Sequence, residues 1–372
     1  MGKYKINLPS IRFYPQLRYS SPGSPCEENQ TWGQTSGENN EKIIVMHKII
    51  SKDELRQNSL LIIPNVSLAL KNWFGTGGPA RFYCEPTSAE QFQEEIAYAT
   101  MHNLAIFILG QGANILISDD GFDGLVIRPQ LQNIQIIESD DTTALVKADA
   151  GVQMPHLITY CLENNLIGLE EFSGIPGTVG GSVYINLHYF EFLLASFLHS
   201  AQVIHKTLGT IHTVEPSRFN FGYNDSQLHK KDYFLVNATF KLKQSTPHEA
   251  AFAQGRQAEI IRHRAHRYPQ VRTCGSFFRN FFENEVTLEV DHKKIIFVAY
   301  YLDKVGIKGT LRSGDAIVSP KHANMIVNLG NATSTDIITL AQQMQSLVYD
   351  AFGILPQPEC QLIGFKKYPL KK

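Results

Sequence analysis

Three stretches of this 372-residue chain have residue types and spacings suited to holding a ligand or stabilising charge. The densest is Glu171-Phe-Ser-Gly-Ile-Pro-Gly-Thr-Val-Gly-Gly-Ser-Val-Tyr-Ile-Asn186, where Gly174, Gly177, Gly180 and Gly181 surround Pro176. Glycine tolerates positive φ and carries no Cβ, so its backbone N–H can approach a ligand closely. Pro176 fixes its own φ and biases Ile175 away from helix. With Val179, Val183 and Ile185 interleaved, the stretch reads as a rigid wall for a flat or phosphorylated ligand, or as a tight packed turn. The second stretch, Gly110-Gln-Gly-Ala-Asn114, follows the apolar run at 104–109. A strand running into Gly-x-Gly has the form of a Rossmann phosphate loop, but Ile115 stands where the third glycine belongs, and 115–117 reads as strand rather than helix. A turn of backbone N–H groups that cradles phosphate survives that objection. The third stretch is Arg262-His-Arg-Ala-His-Arg267. It suits an anion site for a phosphorylated substrate, and equally a solvated helix C-terminus favoured by the helix dipole.

Composition narrows the classes. Apolar residues make up 43% and charged residues 19%, as in a soluble globular protein of two or three domains. A formal net charge of −1 gives no field that would recruit nucleic acid or an anionic membrane. No apolar run is long enough to span a bilayer and the N-terminus lacks an apolar signal core, so a cytoplasmic location is expected. The five scattered cysteines argue for a reducing compartment rather than a disulfide framework. There is no Cys-x-x-Cys, and His263-x-x-His266 has no clustered acidic or thiol partner, so no metal site is expected.

The elements that must position these stretches follow in order. Residues 1–59 read as an N-terminal extension, poorly ordered or docked through its aromatic residues. Globular patterning begins at Leu60, with a glycine cluster at 72–80 and a strand at 81–84. Thr87-x-x-Glu90 reads as a capping box opening a helix that carries Phe92, Ile96 and Ala99 on one face. Strands are predicted at 104–109, 115–117, 121–128, 144–150 and 234–243, with a helix at 155–164 and a hairpin over 201–214 turning at Leu208-Gly209. Pro247 opens a long helix to Arg267, residues 294–305 are amphipathic, and a periodic helix spans 335–352 before Gly353.

Six motifs then coincide in one order: Asn72-x-Phe-x-x-Gly-Gly-Pro-Ala80, Gly110-Gln-Gly-Ala-Asn114, Ser173-Gly-Ile-Pro-Gly-Thr-Val-Gly-Gly181, Cys274-Gly-Ser-Phe-Phe-Arg-Asn280, Lys321-His-Ala-Asn-Met-Ile-Val-Asn328 and Pro358-Glu-Cys-Gln-Leu-Ile-Gly364. From about Leu60 to Phe365 the chain resembles the UDP-N-acetylenolpyruvoylglucosamine reductase family, flavoenzymes that make UDP-N-acetylmuramate for peptidoglycan. The resemblance implies an α+β chain. An FAD-binding domain of the vanillyl-alcohol-oxidase (PCMH) type, made of two αβ subdomains, would occupy 60–246, and an αβ substrate-binding domain 247–372. The short span between Phe221 and Arg262 is similar to the subclass without an extra tyrosine loop. A cytoplasmic monomer that binds FAD, NADPH and a UDP-sugar is implied, with no nucleic acid, membrane or metal.

By the match, Gly110, Gln111, Gly112, Ala113 and Asn114 would hold the FAD pyrophosphate, and Gly174, Ile175, Gly177, Thr178, Gly180 and Gly181 would run along the cofactor. The implied reaction passes a hydride to a vinyl carbon and leaves an enolate beside a carboxylate, which needs a proton donor and support for the developing charge. Ser276 stands at the proton-donor position and Glu359 at the glutamate that supports the carboxylate. Tyr223, Asn280, Arg279, Arg264 and Arg267 would contact substrate, the last two at its diphosphate. Two departures stand out. Asn224 takes the place of an arginine that helps stabilise the carboxylate, leaving Asn224 itself, or the cations of Arg218 or Arg279, to do so. After Asn186 the small residues usual in the family give way to Leu-His-Tyr-Phe-Glu-Phe-Leu-Leu-Ala-Ser-Phe197, for which a pocket-narrowing helix is expected, and 281–291 is expected as an inserted hairpin. These departures keep open a different acceptor on the same scaffold, or a weakly catalytic flavin-binding relative.

Overall fold

The computed structural model describes residues 61–270 and 272–372; the extension expected at 1–59, and Cys26 within it, lies outside the described residues. The chain first builds a small sheet from β1 (Ile63–Ser67), β2 (Pro79–Cys84), β3 (Ala105–Ile108) and β5 (Phe122–Ile127), in the order β1-β2-β5-β3. β2, β5 and β3 are parallel, and β1 pairs antiparallel at the edge. The crossover from β2 to β3 is α1 (Ala89–Met101), which buries Phe92, Ile96 and Ala99 against the sheet, as their spacing predicts. Its cap is Ser88, whose hydroxyl accepts from Gln91 N–H at 3.2 Å, one residue later than the expected Thr87. Thr87 instead donates to the Gln91 side chain. β4 (Ile115–Ile117) lies between β3 and β5 in sequence but pairs elsewhere.

A second, antiparallel sheet follows. β6 (Ile134–Ser139), β7 (Thr143–Asp149), β8 (Leu166–Ile167), β11 (Leu198–His205), β12 (Ile211–Val214) and β13 (Tyr233–Gln244) pair in the order β12-β11-β13-β7-β6, with β8 also on β13. β6 has no counterpart among the expected strands. A bulge between Ile136 and Glu138 breaks its period-2 alternation, and as an edge strand most of it is exposed. Two helices, α2 (Met154–Glu163) and α3 (Val179–Tyr184), bury Leu157, Ile158, Cys161, Val179 and Val183 in one core with Val146, Ala148, Val203, Ala238 and Phe240 of the sheet.

The helix expected after Asn186 is a hairpin instead, β9 (His188–Tyr189) against β10 (Phe192–Leu193). Asn186 and Phe190 both have positive φ, +48° and +50°, which no right-handed helix admits. The buried Asn186 amide fixes the hairpin by donating to Gly222 C=O (3.0 Å) and accepting from Ala195 N–H (3.2 Å).

The remainder begins with α4 (Pro247–Arg267), closed at its start by a capping box of Thr246 and Glu249. The hairpin expected at 281–291 is displaced: Glu283–Glu285 is one 3₁₀ turn, and β14 (Glu289–Val290) pairs with β15 (Lys293–Lys294) across Asp291-His292, both at positive φ. Only Val298–Lys304 (α5) of the 294–305 segment is helical. β16 (Arg312–Ser313), β17 (Ala316–Val318) and β18 (Ile326–Asn328) form a small antiparallel sheet covered by α6 (Ser334–Phe352).

The chain then doubles back. β19 (Gln361–Ile363) pairs parallel with β4, and Phe74 and Leu116 enter the core built from α5, α6 and β17. Asp119, just past β4, accepts from Ser334 N–H (2.8 Å) and Thr335 N–H (3.1 Å) at the start of α6. Asn328 donates to Phe74 C=O at 2.8 Å. The first glycine cluster and the 110–119 region are thus held by residues far along the chain.

Candidate active site

A cavity of about 1240 Å³ collects both glycine-rich stretches and the segments around Ser276 and Glu359. It exceeds the roughly 300–1,000 Å³ of a drug-sized ligand pocket.

The 110–114 turn owes its shape to close packing. Gly112 has φ +67°, and a Cβ there would lie 2.6 Å from Asn72 Cβ and 2.7 Å from its Cα. Asn72 is itself fixed, donating to Leu68 C=O (2.8 Å) and Thr76 C=O (2.9 Å), while Trp73 N–H donates to Gly112 C=O. The first glycine cluster therefore serves to clamp this turn. Among the described residues, nothing accepts from the backbone N–H groups of 110–114. Asn114 C=O receives Gln361 N–H at 3.1 Å, and Asn114 Oδ1 is buried without a partner. A Cβ on Gly110 would meet Thr178 Oγ1 at 2.6 Å, so the two glycine stretches touch. At Gly177 and Gly181 a Cβ would meet only ordinary contacts, at 3.6 and 3.5 Å. The missing side chains there leave room on the cavity side.

Ser276 sits on an extended segment held from both sides. Phe277 N–H donates to Asn324 C=O (2.8 Å) and Phe278 N–H to Asn324 Oδ1 (3.0 Å), while Phe277 C=O accepts from Glu359 N–H (2.9 Å) and Cys360 N–H (3.2 Å). The serine and the glutamate are therefore tied through one peptide group. Burial pushes the Glu359 carboxyl up to about 7, with the neighbouring Asn224 amide working in the opposite direction. Asn224 has φ +53°, and its buried side-chain amide faces Glu359. Tyr223 lies within electrostatic reach of Glu359 and beside Asn280, and its ring packs at a tilt of 50° against His188 of the β9–β10 hairpin, ring centres 4.9 Å apart.

The basic cluster at the end of α4 divides. Arg262 turns away to Glu259 (2.7 Å), the solvated outcome. Arg264 lines the cavity, donating to Gly174 C=O (3.1 Å) with its guanidinium over the rings of Tyr268 (4.9 Å) and Tyr189 (5.5 Å). Burial lowers its basicity, Tyr268 and Tyr189 oppose that, and no carboxylate pairs with it among the described residues. Arg267 and Lys308 line the cavity nearby, and Lys321 reaches back to the free carbonyl of Ala265 at the end of α4 (2.9 Å). Burial, with Arg267 and Lys308 adding to it against Asp303, lowers His322 to about 4, so it is neutral at pH 7.

Of the residues expected from sequence, Ser276, Glu359, Asn224, Tyr223, Arg264, Arg267, Asn280 and all eleven expected cofactor-binding residues line this cavity. Arg279 does not. Its guanidinium is paired with both oxygens of Glu285 (2.7 and 2.8 Å). Arg218 is also outside the cavity lining, bonded to the Tyr233 hydroxyl. Neither guanidinium lines the cavity, although the charge of Arg279 is felt by Tyr223 beside Asn224. The sequence reading missed His188, Tyr268, Lys308 and Gln361 as lining residues. Gln361 and the Lys321-His-Ala-Asn segment lay within motifs already noted, whereas Lys308 carried no local signal. Among the described residues there is no cluster able to hold a metal ion and no helix long and apolar enough to cross a membrane.

Comparison with known proteins adds the following. The family model described as an FAD binding domain matches residues 80–215, and the one described as the UDP-N-acetylenolpyruvoylglucosamine reductase C-terminal domain matches residues 266–363. The UDP-N-acetylenolpyruvoylglucosamine reductase of Prochlorococcus marinus (strain NATL2A) is 31% identical, over 83% of this chain and 100% of the relative. That of Trichormus variabilis is 32% identical, over 83% and 91%. The solved structure of the reductase from Thermus caldophilus superposes with a TM-score of 0.64 at 27% identity, over 81% of this chain and 98% of that one. The α+β architecture, with an FAD-binding domain of two αβ subdomains before a further αβ region, accords with these matches.

Proposed function

Because the chain belongs to the UDP-N-acetylenolpyruvoylglucosamine reductase family, we propose that it reduces UDP-N-acetylglucosamine enolpyruvate to UDP-N-acetylmuramate, with FAD as carrier and NADPH as electron source. The observation that carries this reading is one cavity lined by the 110–114 turn, the 174–181 wall, Ser276, Asn224 and Glu359.

The residues present fit FAD. The 110–114 turn offers unbonded N–H groups for a diphosphate, and Gly177 and Gly181 leave room for a flat ring system. When bound there, FAD supplies the hydride chemistry between NADPH and the vinyl carbon. Every other task falls to the chain. Ser276 holds the proton delivered to the α-carbon. Serine is a weak acid, so its geometry must be tight, and the paired hydrogen bonds of Phe277 and Phe278 to Asn324 supply that. Glu359, with its carboxyl near 7, carries a proton at the carboxylate of the enolate form. Asn224 Nδ2, facing Glu359, donates to the same group. Arg264 and Arg267 take the diphosphate, for which Arg264 is already desolvated and free of a carboxylate partner. A single chain supplies all of these walls, which supports a working monomer. A cytoplasmic location, where NADPH and UDP-sugars are made, follows from the same reading.

The test is an anaerobic half-reaction. Flavin on the purified protein is reduced with NADPH, UDP-N-acetylglucosamine enolpyruvate is added, and absorbance near the oxidised flavin band is followed. Prompt reoxidation is expected; a flavin that accepts electrons from NADPH and then stays reduced would mean a different acceptor.

A further inference from the structure

Arg264 reaches the cavity from the last turn of α4, and its neighbours fix where its charge points. Earlier on the same helix, Arg256 pairs with both oxygens of Glu171 (3.0 Å each), which anchors α4 beside the 3₁₀ turn Glu170–Phe172. The Arg264 Nε–H is spent on Gly174 C=O (3.1 Å), in the wall assigned to the cofactor. A guanidinium carries five N–H donors, so those on its terminal nitrogens remain for other partners.

Two aromatic rings lie against this group. Its central carbon is 4.9 Å from the ring centre of Tyr268, which caps the end of α4, and 5.5 Å from that of Tyr189 on the β9–β10 hairpin. Tyr189 also brings its hydroxyl within hydrogen-bonding reach of the guanidinium. The Tyr189 ring is itself held. Its residue pairs with Phe192 across the hairpin, its ring meets that of Phe190 edge-on at 4.6 Å, and it packs on the core of the antiparallel sheet. Leu194 N–H, donating to Leu187 C=O (2.8 Å), and the two bonds of the Asn186 amide close the base of the hairpin. An unconfined arginine samples many rotamers, and a fixed aromatic face removes part of that freedom before any ligand arrives. The small residues usual in the family at this point of the chain have neither ring nor hydroxyl with which to do so.

Given the reading of Arg264 as a ligand of the substrate diphosphate, on which this step rests, we infer that Tyr189 is a positioning residue for that contact. Its ring and hydroxyl hold the guanidinium with the remaining N–H groups toward the cavity, so a nucleoside diphosphate meets a preset fork of donors. Tyr189 acts through Arg264 and does not itself touch the phosphates. The β9–β10 hairpin thus sets the strength of phosphate recognition separately from recognition of the nucleoside.

Equilibrium titration of the FAD-loaded protein tests this, by calorimetry with UDP and by ligand-observed NMR with the weaker probe uridine. Tyr189→Ala should raise the Kd for UDP by about 5–50-fold and leave that for uridine unchanged. Tyr189→Phe, which keeps the ring and loses the hydroxyl, should raise it by about 2–10-fold. Once Arg264→Ala has been made, adding Tyr189→Ala should cost UDP nothing further, because the residue through which Tyr189 acts is gone. Flavin absorbance and unfolding temperature establish that each variant is folded. An unchanged UDP affinity in Tyr189→Ala, a loss shared equally by UDP and uridine, or a loss of the same size in the Arg264→Ala background would overturn the inference while leaving the substrate reading intact. A parent protein that binds no UDP, or an Arg264→Ala variant that binds it as tightly as the parent, would remove the diphosphate reading and this inference with it.

Discussion

Gly181→Ala separates the stability of the fold from the fit of the cofactor, because the two should move in opposite directions. Gly181 lies inside α3, is exposed to the cavity, and has ordinary backbone angles. A Cβ there meets only Thr178 Oγ1, at 3.5 Å. The protein therefore has space for alanine, and replacing a helical glycine stabilises a helix by about 0.5–1 kcal/mol. Flavin-free protein should gain roughly 1–4 °C in unfolding temperature. The new methyl nevertheless enters the space assigned to FAD and would push the cofactor away by about 1.5 Å, one C–C bond length. Overpacking of that kind costs roughly 1–3 kcal/mol, so FAD affinity should fall by about 5–150-fold. Calorimetric unfolding of apoprotein and fluorescence titration with FAD measure the two quantities independently. A variant that is stabilised yet binds FAD unchanged would refute the placement of the cofactor along the 174–181 wall.

Other perturbations address separate parts of the molecule. Ser276→Ala should slow reoxidation of reduced flavin by the enolpyruvyl substrate by about 10²–10⁴-fold, as expected for a lost proton donor; stopped-flow measurement should find reduction by NADPH unchanged, and equal slowing of both steps would contradict the role. Glu95, only 3% exposed on α1, is pushed up to about 7 by burial, so the folded protein holds a proton there that the unfolded chain releases above about 4.5. The stability tied to that proton is complete at low pH and is lost as pH rises through about 7. Glu95→Gln should therefore match the parent near pH 4 and be more stable at pH 8, by on the order of 3 kcal/mol, in urea unfolding; an equal difference at both pH values would reject this. Asp119→Ala removes the acceptor for two N–H groups at the start of α6 and should lower stability by about 1–2 kcal/mol, again read by urea unfolding, with no change counting against the cap.

What the sequence made legible was whatever the chain encodes locally. The 3.6-residue spacing of Phe92, Ile96 and Ala99 located α1, and Pro247 with Glu249 marked the start of α4. The glycine-rich stretches were legible as either ligand walls or tight packed turns, and the structure brings both to one cavity. Misreadings came where long-range contacts decide. Residues 187–197 have the apolar content of a buried helix, but Asn186 and Phe190 have positive φ, and the Asn186 amide is bonded to Gly222 and Ala195. Arg279, expected to contact substrate, has its guanidinium paired with Glu285, only six residues away but in a 3₁₀ turn the sequence did not announce. Lys308 reaches the cavity only because α5 and the loop after it fold back over that wall, which no local pattern encodes.

The parallel pairing of β19 with β4 also sets a timetable for biogenesis. Asn114 C=O, in the turn assigned to the FAD diphosphate, is satisfied by Gln361 N–H, and among the described residues β4 has no other strand partner. That contact spans roughly 250 residues, the kind of non-local closure that slows folding and must await synthesis of both partners. At translation speeds of about 5–20 residues per second, the 110–114 turn stands exposed for some 12–50 s before residue 363 has been made. Throughout that interval Leu116, which is fully buried in the finished protein, lacks the core that covers it. Under the proposed placement of the cofactor, a partly synthesised chain lacks both β19, which braces the 110–114 turn, and Glu359 just before it.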